Sequence, residues 1–462
     1  MSNNLKENED FRDNVSTIGE RGKRVWLFPR QPKGDLYKYR KALSWFQMIF
    51  LLSAPFIKID GKPLIMLNII ERKFVILGKT FWTQDMYIFA LLLVAFFLTI
   101  ILFTAIFGRI WCGWLCPQTV FMEMLFRRIE YTIEGNWQAQ KKLAEEPMNP
   151  KKFMKKSIKY FLFFVHAWVI GNVFLAYIIG GDALIELVTD SPSKHVAGFT
   201  AMIIFTLAFF WLYSYFREQF CTFLCPYARL QSVMLDNNSI AVAYDEKRGE
   251  PRARGKERQN MNNAGDCVDC GICQQVCPTG IDIRNGFPQL ECINCTACID
   301  ACNNVMDRQG KPRGLISYSS KNRLETGEKF KWTPRIIVYT TALVALLSFS
   351  FLLIFLRSDV HIKILRTPGQ TYQIQPNQRI SNLYNGNFIN KTDKEIELQI
   401  KCLQQDSKIT FVGPPPTLAP GKETKLTFFT EIPDSQKVRK VSLEFYMNGE
   451  LTETKQISFV TP

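Results

Sequence analysis

The chain has 462 residues, which is too long for one ordinary domain and enough for two or three. Its hydrophobic fraction is 47% and its mean hydropathy is −0.04 despite 57 Lys+Arg and 42 Asp+Glu, so its apolar residues must be concentrated in segments. The formal charge of +15 does not require nucleic acid as a partner, because Lys and Arg of membrane proteins collect beside cytoplasmic headgroups.

Residues 1–41 carry 10 Lys and Arg and no apolar core, which predicts a cytoplasmic N-terminal segment without a cleavable signal peptide. Five apolar stretches follow, each near the roughly 20 residues needed to cross a bilayer. The first is the weakest, because Pro55 and Lys58 shorten it. We predict membrane spans at 42–59, 86–107, 158–180, 197–216 and 335–356.

The Lys and Arg counts of the connecting segments predict the orientation in the membrane. The 60–85 and 181–196 connections carry 4 and 1, whereas the 109–157 and 217–333 connections carry 9 and 16. The basic connections are expected on the cytoplasmic side, together with the N-terminus. Residues 357–462 are then periplasmic, which predicts a multi-pass protein of a bacterial inner membrane.

A cysteine motif occurs twice, each time directly after an apolar stretch. Cys112–Cys116 and Cys221–Cys225 both have the pattern C-x-x-x-C-P, and they are 109 residues apart (221 minus 112). Each motif leads into an amphipathic stretch, at 117–131 and 226–236. We therefore interpret residues 42–236 as a four-helix membrane domain built by internal duplication.

If the two repeats face each other, Cys112, Cys116, Cys221 and Cys225 converge on one four-sulfur site. The proline after each motif fits a first helical turn, so Cys116 and Cys225 are predicted N-caps, where a helix dipole lowers thiol pKa. Thiolates are soft ligands that suit Cu(I), zinc or iron–sulfur clusters. Buried thiols without a function and metal-free dithiol chemistry are the alternatives.

Residues 237–333 contain two ladders of the form C-x-x-C-x-x-C-x-x-x-C, in which the fourth Cys binds the other cluster. The predicted ligands of the first cluster are Cys267, Cys270, Cys273 and Cys302. The predicted ligands of the second cluster are Cys292, Cys295, Cys298 and Cys277. Zinc modules do not need this spacing twice, so we predict a cytoplasmic ferredoxin domain with two [4Fe–4S] clusters that transfer electrons.

After a fifth predicted membrane helix at 334–357, residues 358–462 have no long apolar run. Short segments of strand character alternate with turn residues, which predicts an all-β immunoglobulin-like sandwich. Cys402 lies in one of these segments and is expected to be a buried core thiol. The predicted strands are Val360–Leu365, Glu395–Leu403, Lys408–Val412, Lys422–Phe429, Lys440–Tyr446 and Thr454–Val460.

Three further features of the sequence are functional candidates. His166 lies inside the third predicted span, where we expect a hydrogen bond to a neighbouring helix, with a quinone or proton-relay contact as the alternative. Met122 and Met124 could donate thioether ligands but fit core packing better. The basic run Lys247–Arg258 fits a lipid-facing or partner-docking surface beside a membrane, so no nucleic-acid partner is predicted.

The order of these parts resembles the cytochrome c oxidase accessory protein family CcoG, also called FixG or RdxA, from about residue 35 onwards. The resemblance implies a polytopic α-helical membrane protein of about five spans, with the ferredoxin domain and the outer sandwich described above. It implies a role in assembling a high-affinity haem–copper oxidase by reducing Cu(II) to Cu(I). On that analogy Cys112, Cys116, Cys221 and Cys225 meet the copper, and the eight ladder cysteines bind the clusters.

The partners implied are membrane lipid, oxidase subunits or copper chaperones, and an unidentified cytoplasmic electron donor. One rival interpretation is a membrane quinol dehydrogenase that feeds a periplasmic reductase. Such proteins share the membrane core and the ladders but generally lack the outer sandwich. Another rival is a non-catalytic copper carrier or assembly scaffold, in which the sandwich is the docking module.

Overall fold

The structure is a computed structural model that describes residues 16–19, 23–59, 61–69, 73–76, 78–81, 86–289, 291–328, 331–356, 358–367, 369, 371–375, 378–392, 394–413, 417–434 and 438–462. Residues 1–15 of the predicted N-terminal segment lie outside this description. The chain divides into two compact units. The first comprises Met1–Ile57, Pro63–Asn68 and Leu91–Ser348, and the second Lys58–Lys62, Ile69–Ala90 and Phe349–Pro462.

The longer helices, those of nine or more residues, are labelled α1 to α9 in chain order. They are α1 Asp35–Ser53, α2 Met86–Phe107, α3 Trp137–Glu145, α4 Pro150–Ile179, α5 Gly181–Thr189, α6 Val196–Trp211, α7 Pro226–Met234, α8 Ala297–Arg308 and α9 Pro334–Phe355. Within the described residues, four helical segments are long and apolar enough to cross a membrane, which confirms four of the five predicted spans. These segments are Met86–Phe107, Pro150–Ile179, Val196–Phe216 and Pro334–Phe355.

The first predicted span, 42–59, was wrong in its bounds. The helix there is α1, which begins at Asp35 and ends at Ser53, and charged side chains in its first two turns make it too polar to qualify on composition. Its contacts nevertheless connect the two ends of the helical bundle. The Arg40 Nε donates to the carbonyl of Gly113 at 2.7 Å, and the Tyr177 hydroxyl, near the C-terminus of α4, donates to the carbonyl of Leu51 at 2.8 Å.

The ladder segment folds around two short antiparallel strands, Ala241–Tyr244 and Ile316–Ser319, which bracket it in the sequence. Each ladder turns into a helix after its second cysteine, Ile272–Gln275 in the first and α8 in the second. Buried apolar residues including Val242, Ile283 and Met306 pack against the ladder cysteines. The segment is therefore a small domain whose core is built largely around sulfur.

The C-terminal residues form two antiparallel sheets, which confirms the predicted sandwich. Its strands are β1 Val360–Arg366, β2 Gln373–Gln375, β3 Arg379–Asn390, β4 Ile396–Cys402, β5 Lys408–Phe411, β6 Thr417–Leu418, β7 Glu423–Pro433, β8 Lys440–Met447 and β9 Glu450–Ser458. One sheet has the order β5-β7-β3-β1 with β2 also on β3, and the other β6-β4-β8-β9. Phe388, Phe428 and Phe445 are fully buried in the core. Cys402 is half-buried at the edge of this core, and β2, β3 and β6 were not predicted.

Candidate iron–sulfur and four-cysteine sites

One cavity in the ladder domain brings together the predicted ligands of the first cluster. It is lined by Cys267, Cys270 and Cys273 of the first ladder and by Cys302, which α8 carries back from the second ladder. Apolar side chains such as Leu315 close the rest of its wall. Four thiols around an apolar cavity are the donor set that a [4Fe–4S] cluster needs.

A second cavity brings together the other four ladder cysteines. Cys292, Cys295 and Cys298 line it with Cys277, the last cysteine of the first ladder, and Cys273 lies between the two cavities. The exchange of fourth cysteines is therefore present in the fold. The residues fit two clusters, and their role as ligands stays a prediction.

The two ladders share one backbone conformation. Asp269 and Gly271 in the first ladder, and Asn294 and Thr296 at the equivalent positions of the second, all have positive φ, between 47° and 65°. Alternating right- and left-handed residues curl a loop so that successive N–H groups point into one concavity. Thr296 is β-branched and fully buried, so this left-handed conformation is held by the surrounding structure.

These N–H groups favour the charged state of the thiols, which burial opposes. Burial raises the pKa of Cys292 to about 12 and of Cys277 to about 11, while backbone N–H groups of Asn294, Thr279 and Ile281 act in the opposite direction. Such thiols stay protonated at neutral pH unless a metal centre displaces the proton. A bound cluster therefore supplies the positive charge that stabilises these buried cysteines as thiolates.

The two C-x-x-x-C-P motifs have the same local structure. Cys116 and Cys225 are N-caps with φ/ψ of −67°/121° and −74°/109°, and each is followed by proline at the first helical position. In both motifs the N–H of the capping cysteine donates to the carbonyl five residues earlier, at 2.9 Å. The predicted caps and the structural repeat are therefore present, with helices beginning at Pro117 and Pro226.

The four motif thiols converge on one place. Each of Cys112, Cys116, Cys221 and Cys225 lies close enough to the other three to interact electrostatically. Burial raises the pKa of Cys112 to about 11 and of Cys221 to about 12. The expected lowering of the Cys116 pKa by its helix is wrong, because burial outweighs the N–H groups of Gln118 and Thr119 and raises it.

The four motif thiols lie near one another, but they are not as close as the ligands of a single metal ion. Among the described residues, one trio of His, Cys, Asp or Glu has its ligand atoms all within 4.8 Å of one another, and that trio is Glu186, Asp190 and His195. It lies around the α5–α6 connection and is largely exposed. No three of the motif cysteines, and no three of the ladder cysteines, come that close in the described chain. All of the cysteines are free thiols.

The four-cysteine site lies directly against the second ladder. A Cβ placed on Gly113 would come within 3.0 Å of the backbone N of Cys295, and closer still to the carbonyl oxygen of Ile293. Cys112 packs in one buried cluster with Ile293 and Cys295. The equivalent position of the second motif is Thr222, so glycine occurs where the ladder docks. Sequence reasoning missed this signal, although the Gly113/Thr222 difference was visible.

Two other residues between the sites were also missed. Arg109 is 3% exposed, and its guanidinium acts electrostatically on Cys112, Cys221 and Cys292, so one buried cation lies between both sulfur sites. Asn294 joins the ladder to the membrane helices, because its carbonyl accepts from Trp114 Nε1 at 3.2 Å and its side chain donates to the carbonyl at the end of α2.

A buried ion-pair network supports the other side of the four-cysteine site. Arg217 donates to both carboxylate oxygens of Glu130 at 2.7 and 2.8 Å, and Lys159 of α4 pairs with Glu134 at 3.0 Å. Arg217 has a φ of +52°, a strained conformation that this bidentate pair helps to hold. The network ties the helix after the first motif to the turn before the second motif. Its further members are Arg24, Glu123, Arg127, Lys156 and Glu218.

The remaining sequence candidates have structural contacts. Met122 and Met124 are buried in the apolar core of the bundle, although Met122 also lines a small cavity beside Cys221. The expected bond from His166 to a neighbouring helix is wrong, because its Nδ1 lies 2.8 Å from the carbonyl of Leu162 in the same helix. Its ring also stacks edge-on against Phe126.

Family comparisons agree with this arrangement. A family model described as a 4Fe-4S dicluster domain matches residues 216–321, and one described as a 4Fe-4S binding domain matches residues 89–134. A third, described as an IG-like fold at the C-terminus of FixG, matches residues 351–462. The protein RdxB of Cereibacter sphaeroides is 33% identical over 426 residues, which cover 87% of each chain. This chain belongs to the FixG family.

Two further FixG-family proteins match over shorter ranges. RdxA of Cereibacter sphaeroides and the nitrogen fixation protein FixG of Rhizobium meliloti are both 36% identical over 64% of this chain. Those matches span 62% and 58% of the two relatives. A solved structure of a FixG-related protein from Vibrio parahaemolyticus aligns over 23% of this chain at 20% identity with a TM-score of 0.19, too low to support an argument.

Membership of the family, two iron–sulfur domains and apolar helices of membrane length together define the protein at a coarse level. It is an iron–sulfur electron-transfer protein of the FixG/RdxA type, associated with a membrane.

Proposed function

We propose that this protein is a membrane-bound cupric reductase that conducts electrons from its ladder clusters to the four-cysteine site and there reduces Cu(II) to Cu(I). The observation that carries the proposal is the direct packing of Gly113 and Cys112 against Ile293 and Cys295. An electron leaving the second ladder meets the first C-x-x-x-C-P motif across a single layer of backbone.

Copper as the substrate follows from the chemistry of the donor set. Soft thiolates favour Cu(I) over Cu(II), so a site of converging thiols favours the reduced ion. Each Cu(II) takes one electron, which a reduced ladder cluster supplies and a cytoplasmic donor replaces. Direct binding of copper by Cys112, Cys116, Cys221 and Cys225 is the form of this hypothesis that the sequence suggests.

The same proposal places the protein in oxidase assembly. Cu(I) produced at the membrane is the form that a high-affinity haem–copper oxidase or its copper chaperone would receive. We propose a bacterial inner membrane with the ladder domain in the cytoplasm and the sandwich in the periplasm. The 16 Lys and Arg of the 217–333 connection, against one in 181–196, support this orientation.

A membrane quinol dehydrogenase is the second candidate, and one groove favours it. Trp45 of α1, Leu162 of α4, and Met124 and Arg128 of the intervening segment line an open groove of about 260 Å³. Arg128 lies 5.9 Å from the Trp45 ring centroid. An apolar groove with few polar groups, lying among apolar helices, is the kind of site that a quinone head group would enter.

Anaerobic electron transfer distinguishes these functions. The full-length protein is purified in detergent, reduced and mixed with Cu(II), and the cluster absorption is followed together with Cu(I) formation. Cluster oxidation with one Cu(I) formed per electron is expected. Copper binding with the clusters still reduced would identify a carrier or scaffold. Reduction of the clusters by quinol, without Cu(II) reduction, would favour the dehydrogenase.

A further inference from the structure

We propose that Cys112, Cys116, Cys221 and Cys225 hold a third [4Fe–4S] cluster, and that Cu(II) is reduced at its edge. The inference deepens the proposed function and rests on it only for the identity of the electron acceptor. It replaces direct binding of copper by the four thiols, because thiolates that ligate a cluster are not free to ligate copper. What the four thiols bind can be measured independently of copper reduction.

The spacing of the thiols is the first argument. A single tetrahedral ion with metal–sulfur bonds of about 2.3 Å holds its thiolates about 3.8 Å apart. In the described chain no three motif thiols lie within 4.8 Å of one another. A cubane cluster places an iron atom between each thiolate and the centre, so its four thiolates stand farther apart. The ladder cysteines, whose spacing pattern is that of a cluster-binding ferredoxin, show the same wide arrangement.

The composition of the site is the second argument. Cys112 is buried and the other three motif cysteines are half-buried, with the Gln231 amide oxygen 3.0 Å from the Cys112 Sγ. Tyr213 and Tyr227 lie close enough to interact electrostatically with the thiols. Four thiols are also the donor set of each ladder cavity, whereas harder ions prefer oxygen and imidazole donors.

Charge compensation is the third argument. Four thiolates on a [4Fe–4S]²⁺ core carry a net charge of −2, which a buried site must offset. Arg109 lies beside Cys112 and Cys221, and the backbone N–H groups of Gln118 and Thr119 point at Cys116. These N–H groups belong to the first turn after a helix N-cap, so they replace the left-handed loops that serve the ladders.

The fourth argument is that the two halves of the site occur in segments with iron–sulfur relatives. The family model described as a 4Fe-4S binding domain matches residues 89–134, where Cys112 and Cys116 are the cysteines present. Cys221 and Cys225 lie within the 4Fe-4S dicluster match at 216–321. Neither ladder explains a match at 89–134.

Iron stoichiometry tests the inference. The full-length protein and a Cys112→Ser/Cys221→Ser variant are purified without oxygen and reconstituted with iron and sulfide. Iron and acid-labile sulfide are then measured per chain, with Mössbauer spectra to identify the clusters. Three clusters of four irons give about 12 irons in the unaltered protein and about 8 in the variant, a loss of one third. Cys402→Ser, which removes a thiol of the sandwich, is the matched control and should keep all of its iron.

Each outcome is decisive. About 8 irons in both the unaltered protein and the double variant would overturn the inference, as would one copper or zinc per chain that the variant loses while its iron is unchanged. If the double variant does not fold, the iron count and Mössbauer spectrum of the unaltered protein decide alone. A chain with about 12 irons that fails to reduce Cu(II) would retain the third cluster and refute the proposed function, and a chain with about 8 irons that reduces Cu(II) would do the opposite.

Discussion

The ladder domain and the four-cysteine site both enclose thiols, but they are assembled in different ways. The ladder loops gather cysteines within 36 residues, using left-handed residues such as Asn294 and Thr296 to curl the backbone. The four-cysteine site instead joins two helix N-caps that are 109 residues apart (225 minus 116). The ladder sites are therefore formed by residues close together in the sequence. The four-cysteine site forms only when the membrane helices have packed together.

The largest expected effect is the loss of Cu(II) reduction when the four-cysteine site is removed and the ladders are left intact. Cys112→Ser with Cys221→Ser should reduce Cu(II) reduction to background while the ladder clusters keep their absorption, because the ladders form locally. Steady-state Cu(I) formation and the visible spectrum of the purified variant are the measurements. Normal copper reduction in this variant, with Cys402→Ser as the reference, would rule out the four-cysteine site as the point of electron exit.

Packing of the two repeats depends on the buried Arg217–Glu130 pair. Arg217→Met leaves the Glu130 carboxylate buried without its bidentate partner, and such losses cost about 3–5 kcal/mol. We expect a lower thermal unfolding midpoint in detergent and a weakened four-cysteine site. Arg217→Met with Glu130→Met should recover most of the stability. Equal instability of the single and double variants would show that the ion pair is not the cause.

The contact between the two sites depends on Gly113. Gly113→Thr introduces the residue found at the equivalent position of the second motif, and its side chain would collide with the backbone of Ile293 and Cys295. A destabilisation of about 1–3 kcal/mol is expected, with at least a tenfold slower re-oxidation of the ladder clusters by Cu(II). Stopped-flow absorption measures this rate, and Thr222→Ala is the control. An unchanged rate in Gly113→Thr would contradict the proposed electron path.

The smallest effect is expected on the surface of the ladder domain. Arg313 donates two hydrogen bonds of 2.8 Å to Asp307, which lowers the pKa of that carboxyl below its usual value. Its stabilising contribution is therefore present above the usual pKa of aspartate and is lost as pH falls through the lowered value. Asp307→Asn should change the unfolding midpoint only slightly at pH 7 and not at all at high salt. A large change would mean that surface charge, rather than the sulfur core, holds the domain.

Features carried by local pattern were predictable from the sequence. The ladders, both N-caps and four apolar helices depend on spacing, proline and composition, and the fold contains all of them. Helix α1 was misplaced because Arg40 is buried and donates to the carbonyl of Gly113, a contact that hydropathy does not register.

Other features depend on tertiary contacts and were missed. The central strand β3 is rich in Asn and contains Gly386, so its sequence resembles a turn. Within the sandwich, Asn382 exchanges hydrogen bonds with the backbone of Val460, and Asn390 donates to the carbonyl of Leu418. The raised pKa of Cys116 has the same origin, because burial by distant segments outweighs the effect of its own helix.

The central claim is that electrons stored in the ladder clusters leave the protein through the four-cysteine site. It is tested most directly by reducing the clusters without oxygen, adding Cu(II) and comparing the unaltered protein with Cys112→Ser/Cys221→Ser in one rapid-mixing experiment. The prediction is that the ladder clusters oxidise with stoichiometric Cu(I) formation in the unaltered protein and remain reduced in the variant. Equal oxidation of the ladder clusters in both proteins would contradict it.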